Sequence, residues 1–118
     1  MKGRLQAMEY PADKDVVMNV DQAVDTVYAR LVEKHSIPEK IRFRVEVSDE
    51  EVSELFLAVD FLIEYYKRRA VVPKRLALAF VDVYVGFNVS DDVYDERERC
   101  RYEDIGIALQ QKAYDLFD

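Results

Sequence analysis

Residues 48–70 leave this chain few options for folding. They predict a single helix of roughly six turns, at about 3.6 residues per turn. Ser48 and Glu51 form a Ser-x-x-Glu capping box, in which hydroxyl and carboxylate each satisfy a backbone N–H that the first turn leaves unpaired. At about 100° per residue, Val52, Leu55, Phe56, Val59, Leu62, Ile63 and Tyr66 fall on one stripe. Leu57, Ala58, Phe61 and Tyr65 make a second stripe on the opposite side, and only Ser53, Asp60, Glu64 and Lys67 form a clearly polar strip. A helix that is apolar on two sides has to be covered on two sides. It is therefore expected to be the central helix of the domain, or a core helix whose second stripe, Leu57, Phe61 and Tyr65, awaits a partner.

The rest of the composition agrees with a helical bias. Three Gly and three Pro in 118 residues leave little room for hairpin turns or phosphate loops. Half the residues are apolar, and a chain of this length forms one domain that buries about two-thirds of its unfolded surface. Cys100 is the only cysteine, so no internal disulfide is possible and an oxidising compartment is not indicated. Residues 1–10 lack the apolar core of a secretory signal, and no run approaches the ~20 apolar residues of a membrane span. A cytoplasmic protein is expected. The formal charge of −7 argues against direct binding to nucleic acid or an anionic membrane. It allows a basic protein partner, although solubility alone also accounts for a charge of this size.

Other elements follow from local patterns. Residues 3–10 suit a short edge strand ended by Pro11, or a loose arm. Asn19 or Asp21 caps a first helix that runs to about Lys34, with Val20, Val24, Val27, Tyr28 and Leu31 on one face. Pro38 stops its continuation. Ile41, Phe43, Val45 and Val47 then alternate with Lys40, Arg42, Arg44 and Glu46, the clearest strand pattern in the chain. Its partner would come from residues 5–10, 16–18, or beyond the central helix. Residues 74–89 are read as a helix with Pro73 at its first position, Gly86 past its end, and Leu76, Phe80, Val83, Tyr84 and Phe87 on one face. The β-branched run in 80–89 keeps a strand open as the alternative. Residues 90–101 mix both charges as a solvated loop or exposed turn, and a last helix begins near Tyr102 with Ile105, Leu109 and Leu116 as its core. The expected fold is α+β and helix-dominated: one domain, 1–118, with about four helices and a small antiparallel sheet including residues 41–47.

Candidate sites are few. His35 and Cys100 are the only pair available for Cys–His nucleophilic chemistry, and Arg99 and Arg101 would activate the thiol if they converged on it. Glu51 and Glu54 form Glu-x-x-Glu, and Asp92 and Asp95 form Asp-x-x-Asp. This arrangement resembles the acidic helical sites of nucleotide pyrophosphatases of the MazG type. The resemblance implies divalent-metal chemistry through converging oxygen ligands, but no basic nucleotide-contacting motif accompanies it. No Walker loop, Gly-rich dinucleotide turn or Gly-x-Ser-x-Gly elbow occurs. No catalytic residue, metal ligand or cofactor is expected from these patterns.

Two clusters suit an interface. One is the Leu57, Phe61, Tyr65 stripe. The other joins Tyr94 and Tyr102 to Asp91, Asp92, Asp95, Glu96, Glu98, Glu103 and Asp104. Tyrosine supplies contact area at low entropic cost, and an acidic field steers a basic partner. The expected function is non-enzymatic: binding, and thereby inhibiting or sequestering, a basic protein such as a nuclease or nucleic-acid-binding protein, as immunity proteins or DNA mimics do. A homo-oligomer assembled through the apolar helix face, and a carboxylate–metal enzyme, are the alternatives.

Overall fold

A computed structural model describes residues 18–90 and 92–118, with Tyr84 described by its backbone alone. The described residues form six helices: α1 (Val20–Leu31), α2 (Ile37–Arg42), α3 (Asp49–Tyr66), α4 (Lys74–Ala79), α5 (Val83–Phe87) and α6 (Glu96–Phe117). No strand occurs among them. The possible edge strand at 3–10 lies outside the described residues.

The centre of the fold is α3. Ser48 caps it through the capping box, the Glu51 N–H donating to Ser48 Oγ at 3.1 Å and the Ser48 N–H to Glu51 Oε2 at 3.1 Å. Leu55, Ala58, Val59 and Leu62 are fully buried on it. Arg30 bonds Glu54 at 2.8 Å, and Tyr66 feels the charge of Asp21, so α1 runs antiparallel to α3. Arg101 bonds Asp49 at 2.9 Å and Lys112 bonds Asp60, both pairs 52 residues apart. That constant offset shows that α6 runs parallel to α3. The segment between them must carry the chain back, and α4 and α5 lie on this return.

The α+β expectation is overturned at residues 41–47. Ser36 caps α2, accepting from the Glu39 N–H, and Pro38 sits in the first turn, where a missing N–H costs nothing. The helix ends in a Schellman motif: the Arg44 N–H donates to the Ile41 carbonyl at 3.2 Å and the Val45 N–H to the Lys40 carbonyl at 2.8 Å. Arg44 therefore takes a left-handed φ of 61°, which no strand accommodates. Ile41 and Val47 are each 3% exposed, whereas Phe43 and Val45 are 63% and 50% exposed. The alternation places only its two ends in the core, so no apolar strand face exists and the small antiparallel sheet is absent from the described residues.

The long helix read over 74–89 is instead two short ones. Phe80, Val81 and Val83 close i→i+3 bonds to Ala77, Leu78 and Phe80, where β-branched residues weaken the helix. Pro73 is the N-cap, and Gly86 lies inside α5 rather than past its end. The core stripe survives the break, since Leu76, Phe80, Val83 and Phe87 are all buried. Turning the chain at residues 80–82 brings α5 against α2 and α6. A Cβ on Gly86 would lie 3.1 Å from Pro38 Cβ, and one on Gly106 would lie 2.7 Å from Phe87 Cβ. The last helix starts at Glu96, earlier than its apolar stripe indicates, because Asp95 caps it by accepting from the Glu98 N–H at 2.9 Å.

Two substitutions check this architecture. Arg44→Gly relieves the left-handed conformation and is expected to raise unfolding free energy by about 0.5–1 kcal/mol; a strand at this position would lose stability on the same change. Gly106→Ala is expected to lose about 1–2 kcal/mol in urea denaturation, despite a helix-propensity gain of roughly 1 kcal/mol, because Phe87 has to retreat.

Candidate functional site

The described acidic and aromatic residues singled out in the sequence do not share one surface. Tyr102 is 4% exposed, packed edge-to-face on half-buried Tyr94 with ring centroids 5.3 Å apart. The Tyr94 hydroxyl donates to the Ile41 carbonyl at 2.7 Å. Burial above all raises both phenol pKa values above the ordinary tyrosine range. These rings tie α6 to the end of α2 and offer little contact area to a partner. Asp95 is spent as the α6 cap. Asp92 is exposed in the preceding turn, its N–H donating to Ser90 Oγ at 2.9 Å. Glu98 lines a groove with Arg44, Asp49, Tyr94 and Arg101 on the flank of α6. Asp91 lies outside the described residues.

The remaining acids converge. α6 buries Tyr102, Ile105, Gly106, Leu109 and Leu116, and about 100° per residue turns Glu96, Glu103, Asp104 and Asp115 to the opposite side. All four are exposed, and among the described residues none forms an ion pair. Arg97 is the cation among them. Between them lie Ile107, 44% exposed, and Tyr114, 75% exposed, seven residues apart and so nearly in line along the helix. The face runs along a helix of 22 residues, about 33 Å at 1.5 Å per residue.

Ile107 and Tyr114 went unnoticed in the sequence. The Asp95-x-x-Glu98 start, followed by two turns of spacing from Glu96 to Glu103 and from Ile107 to Tyr114, would have placed them together.

The second predicted cluster is only partly open. Leu57 and Phe61 are half-buried. Tyr65, 36% exposed, lies parallel to Phe61 at 6.4 Å, edge-on to Tyr66 at 4.9 Å, and beneath the Arg69 guanidinium at 4.0 Å. Its ring is occupied within the domain.

The other candidates are dispersed. His35 lies in the α1–α2 turn, beyond the end of α1, with φ 67° and its N–H donating to Glu39 at 2.9 Å. Cys100 is exposed on α6, and no hydrogen bond joins the two. Glu54 pairs with Arg30 at 2.7 Å and Glu51 with Lys40 at 2.7 Å, so the carboxylates of the Glu-x-x-Glu motif are turned to different cations. No group of three or more His, Cys, Asp and Glu able to hold a metal occurs among the described residues. No helix among them is long and apolar enough to cross a membrane. Comparison with protein-family models, curated proteins and solved structures finds no match.

Glu51 is a structural carboxylate. Burial would raise its pKa, but hydrogen bonds from Lys40 and Ser48 and the charge of Lys40 outweigh burial and hold it below the ordinary carboxylate range. A depressed folded-state pKa adds stability that is present above the unfolded value and lost as pH falls through the folded one. Glu51→Gln is therefore expected to cost about 1–2 kcal/mol at pH 7 in urea denaturation, with the difference from wild type vanishing below the folded pKa. A difference that persisted in acid would remove the ion pair as its cause.

Proposed function

We propose that this chain is a small protein-binding domain that recognises a basic protein through the outer face of α6, and thereby inhibits or sequesters it in the cytoplasm. The observation that supports this reading is the arrangement of Glu96, Glu103, Asp104 and Asp115 around exposed Ile107 and Tyr114. An apolar, tyrosine-bearing centre inside a charged rim matches the anatomy of protein interfaces. The centre supplies desolvation energy, and the rim speeds encounter with a surface of opposite sign. Nucleases and nucleic-acid-binding proteins carry such basic surfaces. Immunity-type recognition draws more support than DNA mimicry, because Asp95 is committed to a cap and Glu98 lies on another flank.

The test is capture from the native host's lysate on the immobilised full chain, eluted by a salt gradient and identified by mass spectrometry. One basic protein is expected at near-stoichiometric amount. The triple variant Glu103→Lys/Asp104→Lys/Tyr114→Ala is expected to lose at least about tenfold in affinity for it, while Asp92→Lys retains it. Equal capture by the triple variant would overturn the assignment of this face.

A further inference from the structure

A second surface is open at the turn between α4 and α5. Where the chain turns between α4 and α5, Leu78 and Val85 are left 57% and 70% exposed. They border a groove of about 570 Å³ whose opposite wall is α2, with exposed Val32 at the end of α1 completing its apolar lining. Arg42 belongs to the α2 wall and Asp82 to the α4–α5 wall. Both are exposed, and neither has an ion-pair partner among the described residues. The Arg42 guanidinium lies over the Phe43 ring at 5.2 Å. Although Asp82 precedes α5, its side chain caps nothing. Glu39, the remaining charged residue of the groove, already accepts the His35 N–H.

We infer that this groove is the interface of a homodimer in which two copies pair about a twofold axis. A twofold contact brings one patch against itself, so each residue on one wall meets its counterpart's opposite wall. Arg42 of each copy then faces Asp82 of the other, twice, on either side of an apolar centre made by Val32, Leu78 and Val85. Charge identifies the occupant. A basic partner would be repelled by Arg42 and an acidic one by Asp82, whereas a second copy presents the opposite charge at both positions. The outer face of α6 does not contribute, so this inference and the proposed partner binding stand or fall separately.

The experiment is sedimentation equilibrium of the full chain from about 1 to 500 µM, with circular dichroism confirming the fold of each variant. A monomer–dimer equilibrium is expected. Leu78→Glu, at an exposed position, is expected to raise the dissociation constant at least about a hundredfold. Arg42→Asp and Asp82→Arg each replace two attractions by two repulsions and are expected to weaken the dimer roughly tenfold. Combining them exchanges the charges across the axis and is expected to restore affinity to within about threefold of wild type. A monomer throughout the range, a dimer indifferent to Leu78→Glu, or a double variant weaker than both single ones would overturn the interface.

Discussion

Burial of one face of α3 between α1 and α6 is the constraint on which the remaining structure depends. Leu55, Ala58, Val59 and Leu62 are shut away from water, and burial of side chains of this size contributes about 1.5–3 kcal/mol each for the larger ones. Two neighbouring helices cover that surface. The chain supplies α1 before α3, antiparallel, and α6 after it, parallel. A parallel neighbour requires a return path, and α3 is 18 residues long, about 27 Å. Residues 67–95 span that distance with two short helices and the turns around them.

The return is held at a few points. Arg75 reaches α1, bonding Asp25 at 2.7 Å and stacking over Tyr28 at 4.5 Å. Phe80 meets Phe117 edge-to-face at 5.7 Å, joining the end of α4 to the end of α6. Phe87 lies against Gly106, where any larger residue on α6 would collide with it. Tyr94 fastens the last loop to α2 through Ile41. Aromatic packing and close approach carry more of this than the ion pairs do, since exposed pairs such as Arg75–Asp25 are worth about 0–1 kcal/mol.

The same geometry separates the surfaces proposed for recognition. α6 lays its apolar stripe on α3 and α5, so its other side carries the acids together with Ile107 and Tyr114. The turn between α4 and α5 cannot bury all of its aliphatic residues, because the short helices present their apolar stripe to the core and leave Leu78 and Val85 outside it. One surface is acidic along a helix, and the other is apolar between two charges of opposite sign. Their chemistry differs enough that one partner would not satisfy both.

Local sequence determined several elements outright. The Ser48–Glu51 box started α3, the stripe of α3 marked it as central, Asn19 capped α1, and the apolar positions of 76–87 were legible through the break between α4 and α5. Each of these depends on hydrogen bonds or side-chain periods within a few residues. The strand expected at 41–47 failed because its alternation competed with an equally local pattern, Ser36-x-x-Glu39 with Pro38 in the first turn, and with the left-handed closure at Arg44. For the residues of the proposed surface, charge and residue type were visible in the sequence, but their common face was not. Tyr94 and Tyr102 could be read from the sequence either as interface groups beside acids or as core anchors of a charged loop, and they fill the junction of α2 with α6; Ile107 and Tyr114 looked like ordinary helix residues, yet they face solvent. Which side of α6 is covered depends on α3 and α5 arriving from 40 or more and about 20 residues away, so only the tertiary structure decided which side chains remained exposed.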